Sequence, residues 1–170
     1  MIIISDTNIL SSLAACEALS ALEILYQKPR LVIPPAVLSE LQAGLAAGMT
    51  HLQLVLESIQ RQQIEVISLS AEEELLSYTY PIDLGEGERE AMALAQSRKA
   101  LLLTNDGEAI RYCFRRQWEV VSLNNLLRLF WISGVMLPDD VRDLIAKMEQ
   151  VERLRLTPDH LLKIFAPDKT

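Results

Sequence analysis

The feature that most narrows what this chain can fold into is its opening, Ile2-Ile3-Ile4 followed at once by Ser5-Asp6-Thr7-Asn8. Three consecutive β-branched residues suit a short strand buried on both faces, of the kind found in the middle of a parallel sheet. Each of the four polar residues behind it can cap a following helix. In an open α/β sheet, ligands bind at the carboxyl end of a central strand. Asp6 therefore reads either as a helix cap alone, the commoner fate of one such aspartate, or as an active-site group. The deciding observation is whether other carboxylates arrive at the same edge.

The rest of the chain alternates strand and helix. Apolar residues from Leu10 to Tyr26 keep a near-helical period, as one broken helix or two short ones, with Pro29 ending the segment. Leu31-Val32-Ile33 is the second strand. Pro34-Pro35 opens a helix with Val37, Leu41 and Leu45 on its apolar face and Glu40 beside that stripe. Thr50 with Gln53 predicts a capping box for a helix reaching about Gln62, and Ser70 with Glu73 predicts another for a helix to about Tyr78. Residues 64–69 between them read as the third strand. A loop over 80–85 leads to a helix from about Gly87 to Lys99. Leu101-Leu102-Leu103 is the fourth strand, running into Thr104-Asn105-Asp106-Gly107 and a helix with apolar Ile110, Cys113 and Phe114. The fifth strand is 119–122, and helices follow at about 123–133, 138–150 and 158–165, the last capped by Thr157. This order predicts an α/β fold: a three-layer α/β/α domain on a five-stranded parallel sheet over residues 1–135, with a C-terminal helical extension at 136–170 packed on it.

Composition excludes several classes. The chain has 170 residues, half of them hydrophobic, enough for one full core and too apolar for a disordered tail. No apolar run approaches the ~20 residues of a membrane span, and the start lacks a signal-peptide pattern, so a cytoplasmic protein with no membrane association is expected. Cys16 and Cys113 form no CxxC pair and read as buried thiols of a reducing compartment. His51 and His160 are the only histidines, which excludes a His-rich zinc centre and argues against a Ser-His-Asp triad. The formal charge of −7 argues against a broad basic nucleic-acid surface.

Right-handed crossovers bring all strand carboxyl ends to one edge. Asp6 ends the first strand and Asp106 follows the fourth, so they meet if those strands are neighbours. Glu40 lies about a turn and a half into the helix after strand two, and the acidic first turns with Glu86, Glu88 and Glu90 approach the same edge. Taken singly, Asp6 and Asp106 are caps, Glu88 and Glu90 suit a helix amino terminus, and Glu40 is a solvated face. Together they would repel one another unless a cation lay between them. Mg²⁺ or Mn²⁺ takes hard oxygen ligands with no histidine, and activates water for attack on phosphorus. Such chemistry points to phosphodiester hydrolysis.

Four segments in this order, Ile-Ile-Ser-Asp6-Thr7-Asn8, Val-Leu-Ser-Glu40-Leu, Gly87-Glu88-Arg-Glu90-Ala-Met-Ala-Leu-Ala and Leu-Leu-Thr104-Asn105-Asp106, resemble a PIN domain. The resemblance is to the prokaryotic branch with a Gly-Glu-x-Glu-Ala motif, many of whose relatives are VapC-type toxins of toxin–antitoxin pairs. It covers residues 1 to about 135, and the later helices are similar to that branch's C-terminal extension. It implies a metal-dependent ribonuclease acting on single-stranded RNA. Asp6, Glu40, Glu88 and Asp106 would be the catalytic and metal-binding carboxylates, with Thr7, Asn8, Thr104 and Asn105 orienting the site. This chain has glutamate where many members have aspartate on the third acidic helix. Either Glu88 or Glu90 fills that place, and Glu88, which follows the glycine, is favoured. The resemblance also implies an antitoxin protein as partner.

Other sites fail on their residues. Gly85-Glu86-Gly87 lacks the strand and third glycine of a dinucleotide loop. Asp6-Thr7-Asn8 lacks the second aspartate of a phosphatase DxD, and no aspartate ends the third strand as a receiver domain requires. Arg111, Arg115 and Arg116 read as an RNA-backbone patch or as a solvated helix end. Trp118, Phe130 and Trp131 read as core. A non-catalytic PIN relative binding nucleic acid or a basic protein is the competing function, and a phosphatase on small molecules is a third. The apolar helix with Leu161, Leu162, Ile164 and Phe165 leaves homodimerisation and intramolecular docking equally open.

Overall fold

The structure is a computed structural model that describes residues 2–26, 30–152 and 154–166. Pro29, expected to end the first helical segment, lies outside the described residues. In order, the elements are β1 (Ile2–Ser5), α1 (Thr7–Ala15), α2 (Leu19–Leu25), β2 (Arg30–Ile33), α3 (Pro35–Ala46), α4 (Leu52–Gln60), β3 (Glu65–Val66), α5 (Ala71–Ser77), α6 (Glu86–Arg98), β4 (Leu101–Leu103), α7 (Gly107–Arg115), β5 (Val120–Val121), α8 (Leu123–Ile132), α9 (Pro138–Val151) and α10 (Pro158–Phe165). The strands form one all-parallel sheet in the order β3-β2-β1-β4-β5.

β1 is central because its side chains are apolar in both directions. Ile3, with Leu31, Ile33 and Leu103, faces a core built by α1, α2, α4, α8 and α9. Ile4, with Val32 and Leu102, faces a second core under α6 and α7 that includes Ala91, Met92, Leu94 and Cys113. These are the two cores of a three-layer α/β/α fold. The register pairs Ile4 with Leu102 and Ser5 with Leu103. The Asp6 amide then donates to the Leu103 carbonyl at 3.1 Å, which continues the ladder and sets Asp6 level with Thr104. The functional edge is thus fixed by strand register.

The Leu10–Tyr26 segment is two helices, broken where Glu17 adopts φ +60°. The two outer strands are shorter than the sequence implies. β3 holds only Glu65–Val66, since it pairs with β2 alone and the chain leaves the sheet after the Ile67 amide bonds Ile33. β5 is Val120–Val121, because Ser122 turns out of the strand to cap α8 at the Asn125 amide. The Thr50–Gln53 capping box does not form. α4 starts at Leu52, and the Gln53 side chain donates instead to Glu57 one turn on. Ser70 and Glu73 do form theirs, and Thr157 caps α10.

Cys16 and Cys113 are free buried thiols. Phe130 is fully buried, while Trp118 joins Tyr80 and Tyr112 in an edge-to-face cluster. α9 places Val141, Leu144, Ile145 and Met148 in the first core. α10 docks on α8 through Ile164 and Phe165: Trp131 Nε1 donates to the Ile164 carbonyl at 2.8 Å, and Arg128 donates to carbonyls at the end of α10. Leu162 remains 70% exposed. No described helix is long and apolar enough to cross a membrane.

One ion pair ties the β3–α5 region to α6. Arg98 donates through Nε and Nη2 to both Glu73 oxygens at 2.8 Å, and through Nη2 to the Ser68 carbonyl at 3.1 Å. That guanidinium is the main reason Glu73 is held well below the usual carboxylate range, at about 2. A depressed carboxylate contributes stability that is present above its unfolded value and lost as pH falls through the folded one. Arg98→Ala is therefore expected to destabilise the fold by about 2–3 kcal/mol at neutral pH. In urea titrations the deficit should shrink as the pH is lowered from about 4.5 towards 2.

Candidate active site

Asp6 is buried at the tip of the central strand, and one of its oxygens is committed. Oδ1 accepts the Ile9 amide at 2.9 Å and caps α1. Oδ2 is buried with no hydrogen-bond partner among the described residues. Burial is the main cause that pushes the Asp6 carboxyl up to about 7. The Ile9 amide pulls the other way, as do the polar groups of Thr104 and Asn105, which lie near the carboxyl without completing a hydrogen bond to Oδ2, while the charge of Glu88 adds to the rise. A buried carboxylate with a bare oxygen at the ligand-binding edge of the sheet goes beyond what a cap requires.

Glu40, expected singly to be a solvated face, is drawn inward from α3. It accepts the Thr7 hydroxyl from α1 and the Gly87 amide from α6, the latter at 2.9 Å. The approach depends on Gly87 having no side chain, since a Cβ there would lie 2.6 Å from Glu40 Oε2 and 2.8 Å from Oε1. Gly85 has the same role more loosely, with a Cβ position 3.4 Å from Glu88 Oε2.

Glu88 accepts the Asn8 side-chain amide at 3.1 Å and the Gly85 backbone amide at 2.8 Å. Its carboxyl is raised, first by burial and then by the charges of Asp106 and Glu40. Glu90, one residue pair further on, faces elsewhere. It accepts the Ala36 amide in the first turn of α3 at 2.9 Å, and its carboxyl is raised mainly by burial. Glu86 is exposed. Asp106 caps α7 at the Ala109 amide, 2.7 Å away, and its own amide donates to the Thr104 hydroxyl.

Asp6, Glu40, Glu88 and Asp106 thus stand at one edge, joined through Thr7, Asn8, Thr104 and two glycine amides. Glu90 belongs to the α3–α6 contact. Among the described residues no three of these carboxylates stand close enough together to hold a metal ion as placed. The donor set nonetheless suits a hard divalent cation: all oxygen, no histidine, and one buried carboxylate oxygen without a donor. Two side chains that no sequence pattern singled out are Arg89, whose Nε is buried without a partner among the described residues, and Phe114, which is 67% exposed. Of the three arginines, Arg111 pairs with Glu108, Arg116 lies 3.6 Å over the Tyr112 ring, and Arg115 is exposed on α7.

A family model, DUF3368, described as a PIN domain, matches residues 2–167. The chain belongs to the PIN-domain family. The match runs through α9 and α10 as well as the sheet. This PIN domain is also similar in fold to a chain in the crystal structure of VapBC2 from Rickettsia felis bound to a DNA fragment from their promoter. The TM-score is 0.54 at 22% identity, over 72% of this chain and 98% of that one. No curated protein matches its sequence.

Asp6 gives a pH signature. Its folded value near 7 lies above the unfolded value of 3.8, so the folded state holds the extra proton between them. Stability from this group is therefore lost as pH rises from about 4 to about 7, by roughly 4 kcal/mol at most. Asp6→Asn keeps an acceptor for the Ile9 amide and removes the penalty. In chelator, urea unfolding should find the variant more stable than wild type above pH 7 and nearly equal to it at pH 4. Parallel pH profiles would show that Asp6 is not the group responsible.

Proposed function

We propose that this PIN domain is a metal-dependent ribonuclease that hydrolyses phosphodiester bonds of single-stranded RNA. The observation that carries the reading is the buried, unpartnered Oδ2 of Asp6 amid three further carboxylates. Asp6, Glu40, Glu88 and Asp106 would hold Mg²⁺ or Mn²⁺. When bound, such an ion neutralises phosphoryl charge and activates water for in-line attack. The protein's part is orientation. Thr7 and the Gly87 amide aim Glu40, Asn8 and the Gly85 amide aim Glu88, and the α7 cap fixes Asp106. Thr104 and Asn105 stand against Asp6 from the neighbouring strand end. Arg111, Arg115 and Arg116 supply positive charge for the RNA backbone.

The charge of −7 favours a second reading, a PIN module whose main partner is a basic protein. The likeness to a chain of the VapBC2 complex supports a protein partner under either reading, and an antitoxin is the partner that the first would imply. The two separate on whether the carboxylates bind metal and cut.

Millimolar Mn²⁺ or Mg²⁺ is expected to raise the melting temperature of the wild type. At a hundredfold excess over Kd the gain is about 2.7 kcal/mol, or roughly 5–10 °C for a chain of this size. Asp6→Asn should abolish the shift and the cleavage of single-stranded RNA. Asn8→Ala, which removes the amide donor to Glu88, should weaken metal affinity about 10–100-fold. Gly87→Ala should reduce the metal shift because its methyl group displaces Glu40. No metal shift and no cleavage in the wild type would favour the binding module.

A further inference from the structure

The outward face of α7 is built unlike a solvated helix face. Phe114 is 67% exposed there, although its neighbours Cys113 and Ala109 are buried. Phe114 and Arg115 lie three and four residues after Arg111, so each is a neighbour of Arg111 across one helical turn. Arg111 folds back along the helix: its Nη2 donates to Glu108, an exposed pair open to exchange for a phosphate, and a Cβ on Gly107 would lie 3.3 Å from its Nη1, beside the Asp106 cap. Arg115 forms no ion pair among the described residues, and Arg116 lies against Tyr112. Three of the chain's 16 basic residues fall within these six positions, on a protein with a net charge of −7.

This face begins at Asp106 and reaches Phe114 after eight residues, roughly 12 Å along the helix. One end is therefore the acidic site itself. An exposed ring one helical turn from Arg111, on a helix that also carries Arg115, offers a single strand both a stacking surface and charge, since aromatic side chains stack bases of any sequence and arginines follow the backbone. An acidic peptide would satisfy the arginines but leave the ring face unused. We propose that Phe114 is a base-stacking residue for the RNA strand as it leaves the carboxylates along α7, with Arg111 and Arg115 on its phosphates. This inference rests on the ribonuclease reading and adds to it a residue that sets strand position. Phe114 would not touch the scissile bond, so it acts on binding.

The test is steady-state cleavage of end-labelled, mixed-sequence single-stranded RNA in Mn²⁺ by the full chain and by Phe114→Ala, Phe114→Leu and Phe114→Trp. Because the ring is exposed, these variants should retain the wild-type melting temperature and its metal-induced rise. Loss of one stacked base is expected to raise KM by roughly 5–150-fold for alanine and leucine with kcat unchanged, while tryptophan keeps or lowers KM. A strand carrying abasic sites should cost the wild type the same factor and Phe114→Ala nothing. Cleavage by the wild type with KM unchanged in Phe114→Ala would overturn this inference alone, as would full retention by Phe114→Leu, which keeps the apolar area without a π face. Binding of polyglutamate that Phe114→Ala abolishes, with RNA kinetics untouched, would likewise overturn it in favour of an acidic protein segment. No cleavage by the wild type in Mn²⁺ or Mg²⁺ would overturn the ribonuclease reading and this inference with it.

Discussion

The burial of one carboxylate at the tip of the central strand is the constraint on which the rest of this structure depends. Asp6 can be there only because β1 is apolar on both faces, which puts it in the middle of the sheet and carries its last residue below the surface. Ionising such a group is costly, and the charge of Glu88 nearby raises the cost. The surrounding structure leaves that cost only partly offset. Backbone amides from α1, α6 and α7 are assigned one by one to Asp6, Glu40, Glu88 and Asp106, and Asp6 Oδ2 is left over. A fold selected for stability alone would place an asparagine or serine there, since either caps a helix without a buried charge.

How much of this could be read from the chain depended on the range of the interaction involved. Ile2-Ile3-Ile4, Leu101-Leu102-Leu103, the Ser70–Glu73 box and the Thr157 cap are local patterns, and each formed where its residues lie. The parallel sheet followed from alternation of strands with helices, and the chain order of the carboxylates was enough to resemble the family. Strand ends at the sheet margin were less legible, because Glu65–Val66 and Val120–Val121 each pair on one side only. Thr50 lost its capping role because α4 starts at Leu52, with His51 and not Thr50 at its boundary.

The site's finer wiring was invisible for a related reason. Thr7 bonds Glu40 across 33 positions and Asn8 reaches Glu88 across 80, separations that no periodicity reports. The preference for Glu88 over Glu90 rested on a neighbouring glycine. The geometry gives that glycine a different task, to leave room for Glu40, while Glu90 turns to α3. The exposure of Phe114 was not legible either, because a helix with Ile110, Cys113 and Phe114 looks amphipathic whichever of the three is turned out.

The caps have one more consequence. α1, α3, α6 and α7 all begin at the edge where the four carboxylates stand, with Asp6, Pro34, Gly85 and Asp106 as their first boundaries. Each helix start carries a partial positive charge of about half a unit from its aligned peptide groups. Four such ends place roughly two positive charges, built of backbone alone, around the mouth of the site. The field there is accordingly less negative than a count of acidic side chains suggests. An anionic strand can approach this edge of an acidic protein without meeting the full repulsion that its composition implies.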